Sequence, residues 1–226
     1  MLFDDRSDAG KALARIVATL PNLDNAIVLG LPRGGVPVAF EVAQACHLPF
    51  DILAARKLGV PRQKELAFGA IASGGAMVLN RQILRQIRVP KDLIRATVAH
   101  ELAEIDRQEK EYRKVYPRLS VEGKTAILVD DGLATGATMK AAVRAVRPQA
   151  ASVVVAIPVA APSSCDEFAG FADDIVCVAA PDLFESVGQF YLNFKPTTDE
   201  EVLKLLARAR GATSAGRLSR SRISHS

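Results

Sequence analysis

The sequence predicts an α/β domain built on an open parallel sheet. Short apolar runs at 26–31, 50–55, 125–129, 151–157 and 174–178 read as buried strands. Helical patterns alternate with several of them, which calls for a parallel sheet covered on both faces. The chain of 226 residues, 49% hydrophobic and 24% charged, suits one domain whose core needs neither disulfides nor a structural metal.

The elements follow in order. Leu13, Ile16, Val17 and Leu20 recur at helical spacing, and Pro21 ends that helix. The first strand, 26–31, meets the pair Gly34-Gly35, after which Val36 to Cys46 reads as a helix leading to the strand 50–55. Residues 66–80 hold Gly69 and Gly74-Gly75 between β-prone stretches and read as an inserted hairpin. Residues 81–116 are helical with a break near Pro90. In the second part, Ile94, Val98, Leu102 and Ile105 form a narrow stripe suited to lying over one face of the sheet. Strand 125–129, helix 137–146 and the strands 151–157 and 174–178 complete the sheet. The aromatic segment 182–194 is expected to fold back near the strand ends. A closing helix over 198–208 is capped by Thr198 or Asp199.

One domain is therefore expected over 1–210, with an insertion at about 58–120 and hood segments at about 158–195. Residues 211–226 are rich in Ser and Arg and read as a disordered tail. Of the net charge of +4, three positive charges belong to Arg217, Arg220 and Arg222, so the basic balance argues little for nucleic acid. The three cysteines, Cys46, Cys165 and Cys177, have no CxxC spacing and read as reduced core residues. The acidic N-terminus lacks an apolar signal region, and no apolar run reaches ~18 residues. A soluble cytoplasmic protein is the expectation.

The chemistry concentrates after the third strand. There Asp130 and Asp131 precede the small-residue loop Gly132-Leu133-Ala134-Thr135-Gly136-Ala137-Thr138, within which a helix begins. Ligands of open parallel sheets bind beyond the carboxyl ends of the strands. The free N–H groups of a helix N-terminus hold anions. Gly136 and Ala137 let the backbone close around a phosphate, and Thr135 and Thr138 add hydroxyl donors. Two carboxylates beside a phosphate site make sense if they face sugar hydroxyls or a cation. Phosphate and vicinal hydroxyls on one ligand describe a ribose 5-phosphate. The bland alternative is a strand-to-helix turn in which an acid or threonine merely caps the helix.

Pro32-Arg33-Gly34-Gly35 is a second candidate, because two glycines before a helix present amides and Arg33 adds a guanidinium suited to phosphate. Other motifs fail. Gly123-Lys124-Thr125 precedes a strand and has Arg118 where a P-loop needs glycine. No GxGxxG follows the first strand, no GxSxG occurs, and His100-Glu101 lacks the second histidine of HExxH. Glu101 and Glu104 read as helix-surface partners of nearby basic residues.

The segment 127–138 resembles the signature by which type I phosphoribosyltransferases bind 5-phosphoribosyl 1-diphosphate (PRPP). The order of strand, hairpin insertion and loop is also similar, as are Leu29 to Gly35 and Val187 to Tyr191 to an uncharacterised bacterial branch of that family. The resemblance implies the type I phosphoribosyltransferase fold, which is Rossmann-like, and a Mg-dependent transfer of the phosphoribosyl group to a nucleobase or amine with release of diphosphate. It implies that Asp130 and Asp131 hold the ribose, and that Gly132 and the residues Ala134, Thr135, Gly136, Ala137 and Thr138 hold the 5-phosphate. Arg33, Gly34, Gly35 and Lys57, beside Arg56, would bind diphosphate, and Arg62 and Lys64 would lie in a lid. Asp130, Asp131 and Arg33 would be the catalytic residues, with Mg bound mainly through the ligand and no evident general base. The acceptor would sit under the hood, where Phe184, Phe190 and Tyr191 are candidates to stack on a base or to be core. A homodimer is also implied. Two alternatives stand beside the transferase: a PRPP- or nucleotide-sensing regulator, and a hydrolase that delivers the sugar to water.

Overall fold

The computed structural model describes residues 2–60, 63–114, 116–168 and 170–220. Its first half runs α1 (Arg6–Val17), β1 (Ala26–Gly30), α2 (Gly35–Ala45), β2 (Phe50–Ile52), β3 (Ala55–Val60), β4 (Gln63–Ala72), β5 (Met77–Leu79), α3 (Arg81–Gln86) and α4 (Lys91–Arg113). The second half runs β6 (Thr125–Val129), α5 (Ala137–Val146), β7 (Ser152–Val159), α6 (Pro162–Phe168), β8 (Asp174–Ala179) and α7 (Asp199–Arg220).

Five strands form a wholly parallel sheet in the order β2-β1-β6-β7-β8. The central strands are buried along nearly their whole length, as continuous apolar runs must be when both faces are covered. One face packs on α1, α2 and α7 through Leu13, Phe40, Val28 and Leu206. The other packs on α5 through Ile27, Leu128, Met139 and Val143. The chain leaves β1 toward β2 on one side and toward β6, β7 and β8 on the other. The switch point therefore lies between β1 and β6, where Gly30 pairs with Val129.

The insertion differs from a simple hairpin. The run expected as one strand over 50–55 splits: β2 stays in the parallel sheet, while β3 starts a separate antiparallel sheet in the order β3-β4-β5. The apolar stripe of α4 covers this small sheet and not the large one, for Ile94, Val98, Leu102 and Ile105 pack with Leu58, Phe68 and Ile71. Only the far end of α4 returns to the main core, through the buried Tyr112.

The closing helix overruns its expected end at 208 and continues as α7 to Arg220, into the segment expected to be disordered. Extending an existing helix through Ala212, Ala215, Arg217 and Leu218 costs little, since nucleation is already complete. The remainder of the expected tail, 221–226, lies outside the described residues. No helix among the described residues is long and apolar enough to cross a membrane.

Candidate functional site

The two glycine loops meet because β1 and β6 are neighbours. Leu31 N–H donates to the carbonyl of Val129 (2.9 Å), and Gly35 N–H closes its own turn on Leu31 (3.0 Å). Both glycines are required by close approach. A Cβ on Gly34 would stand 2.1 Å from Asp131 Oδ2, and one on Gly35 would stand 2.6 Å from the Val129 carbonyl. The Pro32–Arg33 peptide bond is cis.

Asp130 and Asp131 sit half-buried at the end of β6. The Asp130 carboxylate accepts from Asp131 N–H (2.9 Å). Asp131 is held by a residue the sequence analysis missed: Arg6 Nε donates to its Oδ2 at 2.8 Å. Arg6 is itself fixed by the Lys195 carbonyl (2.7 Å) and by the ring of Phe194, 4.0 Å from the guanidinium carbon. Tyr191 Oη donates to the Asp131 carbonyl at 2.5 Å. Burial, and then the adjacent Asp131 charge, push the Asp130 carboxyl well above its ordinary value, against the pull of Lys57 and Arg6. Burial also raises Asp131, opposed first by Arg6.

The loop 132–138 is tethered at both ends. Leu133 exchanges backbone hydrogen bonds with the end of β7 and the start of the next segment, to Val159 (2.9 Å) and from Ala161 (3.0 Å). Gly136 caps α5 with φ +66°, and its Cβ position lies 2.6 Å from the Phe168 ring. Ser164, on α6 like Phe168, donates to the Ala134 carbonyl. The first N–H groups of α5 have no partner inside the helix, so a helix of ten residues opens toward this loop with free donors. Gly136→Ala adds a methyl where both the dihedral and Phe168 forbid it. The expected outcome is a loss of about 1–3 kcal/mol in thermal unfolding, together with weakened phosphate affinity.

A cleft of about 960 Å³ opens over these loops, reaching Pro32, Lys57, Asp130 and Thr138. Lys57 is exposed at its rim. Arg33 points instead to the start of α7, with Nη1 3.9 Å from Asp199 Oδ1 and its side chain 48% exposed. Arg56 pairs with Glu101 of α4, so Glu101 is not the helix-surface partner expected, whereas Glu104 does pair along the helix with Arg107 at 2.8 Å. Arg62 lies outside the described residues, and only the backbone of Lys64 is described.

The hood aromatics pack on one another. Phe190 and Tyr191 are buried against Phe3 and Val159, and Phe184 packs on Phe190 with ring centroids 5.3 Å apart. The cleft is lined instead by α4, through Leu93, Ala96, Thr97, His100 and Glu101. Their spacing by three and four was legible in the sequence as a second stripe beside the apolar one. What it faces depends on where the insertion docks.

The geometry is that of an α/β sheet protein with a small-residue loop opening a helix and paired acids at its switch point. Residues 53–195 match the model of the phosphoribosyl transferase domain. A Mycobacterium tuberculosis H37Rv protein, provisionally named phosphoribosyl transferase Rv0571c, is 48% identical over 209 residues. These are 92% of this chain and 47% of that protein, so the chain spans about half the length of the curated relative it matches. The crystal structure of TT1426 from Thermus thermophilus superposes with a TM-score of 0.75 at 39% identity, covering 91% of this chain and 98% of that one. The chain belongs to the phosphoribosyl transferase domain family.

Proposed function

We propose that the chain transfers the 5-phosphoribosyl group of PRPP to a nitrogen acceptor, releasing diphosphate. The observation that carries this reading is the meeting of the Gly34-Gly35 turn and the 130–138 loop at one switch point, with two carboxylates between them. Asp130 and Asp131 accept from the ribose hydroxyls and favour the positive charge that develops on the ring. The 134–138 amides and threonines anchor the 5-phosphate. The amides after Arg33, with Lys57, hold the diphosphate, and Arg33 joins them by leaving Asp199. The acceptor's lone pair bonds to C1 as the C1–O bond breaks and its electron pair leaves with diphosphate. Catalysis is then chiefly positioning and electrostatics.

Magnesium would be held mostly by the oxygens of the ligand, with a carboxylate of Asp130 or Asp131 at the mouth of the same loop able to contribute. Magnesium commonly takes one or two carboxylates and completes its shell with phosphate oxygens and water. When bound it would offset the charge on the leaving diphosphate.

The test is a titration of PRPP with and without Mg, read as thermal stability. Ligand at 100 times its Kd stabilises by about 2.7 kcal/mol. No shift at millimolar PRPP would sink the reading. A second expectation follows from the raised carboxyls. A cationic or hydroxyl-donating ligand favours the anions, so binding releases protons and tightens as pH rises through the raised value of Asp130. Calorimetry in buffers of different ionisation enthalpy measures that release. Proton uptake would contradict it.

A further inference from the structure

The loop itself leaves no base free for the acceptor: residues 132–138 contain no ionisable side chain, Asp131 is engaged by Arg6, and in the transferase reading Asp130 is committed to the ribose hydroxyls. An acceptor that attacks C1 through an N–H must nevertheless lose that proton. The opposite side of the cleft carries the group that can take it. His100 lines the cleft from α4, with Thr97 one turn before it and Leu93 and Ala96 forming an apolar strip alongside. Its Nδ1 stands 3.1 Å from Glu101 Oε1. Glu101, whose side chain is 16% exposed, is fixed in turn by Arg56 of β3. A carboxylate on Nδ1 holds the proton there and leaves the Nε2 lone pair as the basic one.

From this juxtaposition we infer that His100 is the general base of the transfer, oriented by Glu101 and Arg56, and that α4 supplies the acceptor side of the site. The inference rests on the transferase reading. The acceptor is a neutral N–H nucleophile with an apolar face that lies along Leu93 and Ala96. Its N–C1 bond forms as the proton passes to His100 Nε2 and the C1–O electron pair departs with diphosphate. Glu101 and Arg56 are positioning residues. The aromatic hood acts elsewhere, fixing Asp131 through Tyr191 and Arg6.

The experiment compares the native chain with His100→Ala and Glu101→Gln, using PRPP and Mg with ammonia as acceptor and with water alone. Diphosphate release and the PRPP-induced thermal shift are both read. His100 is exposed, so its removal leaves the fold intact. His100→Ala is expected to keep the thermal shift and to lose about 100-fold in release, recovered at least tenfold by added imidazole with phosphoribosylamine and no phosphoribosylimidazole formed. Glu101→Gln is expected to lower kcat with KM for PRPP unchanged. Unchanged release in His100→Ala, loss without imidazole rescue, or no release by a native chain that binds PRPP would each overturn the assignment of the base. Absence of the thermal shift in the native chain would overturn the transferase reading itself.

Discussion

Asp51→Ala is expected to lower stability by about 3–5 kcal/mol, a fall in Tm of roughly 6–20 °C for a domain of this size. Asp51 is 1% exposed on β2. One carboxylate oxygen accepts from Arg113 Nη1 at 2.6 Å, and the other accepts from Leu119 N–H at 2.7 Å. Arg210 of α7 approaches to 3.9 Å. Removing the carboxylate takes the charge partner from Arg113 and Arg210, which keep the carbonyls of Ile52 and Pro117, and takes the acceptor from the N–H groups of Ile52 and Leu119, which costs more than the pair itself contributes. The companion Asp51→Leu/Arg113→Met should recover part of the loss and not all of it, because the Leu119 N–H remains unpaired. Calorimetry decides. A change under about 2 °C for Asp51→Ala would show that the cluster is not a keystone. The cluster also has a functional consequence. Arg113 ends α4, so this ion pair ties the helix that lines the cleft to the edge of the main sheet.

Asp130→Asn is expected to abolish PRPP binding while stabilising the free protein at neutral pH. The carboxyl is raised in the fold by burial and by Asp131, so its ionised form is disfavoured there relative to the unfolded chain. The folded state then binds more protons than the unfolded state between the ordinary carboxyl range and the raised value, and stability falls as pH rises through that window. Asparagine keeps the oxygen that accepts from Asp131 N–H and removes the penalty. A gain of about 0.5–2 kcal/mol is in the range of such relieved sites. The gain over the native chain should grow as pH rises through the window and vanish below it. Thermal unfolding from pH 4 to 8 in ~1-unit steps measures it. A variant less stable than the native chain at neutral pH would show that the carboxylate contributes structure as well as strain. The pairing of lost binding with gained stability is what a site kept for function predicts.

Several features were legible in the residues alone. Continuous apolar runs separated by helical periods require a parallel sheet, and four of the five expected main-sheet strands lie within two residues of where they were drawn. The loop 130–138 declares itself because acids, small residues and a helix start are contiguous, and contiguous chemistry survives any tertiary arrangement. What the residues did not disclose were partnerships across long stretches of chain. Arg6 finds Asp131, and Tyr191 finds the carbonyl of the same residue, because α1 and the hood converge at one sheet end. Arg33 turns to Asp199 because α7 begins beside its loop. The strand expected over 50–55 leaves the main sheet after Ile52, and β3 pairs with β4 apart from it, a pairing that carries α4 to the cleft. Local pattern fixes which element forms. Only the docking of elements distant in sequence decides which charge meets which, since the energy of an ion pair or an aromatic contact depends on separations that no local periodicity encodes.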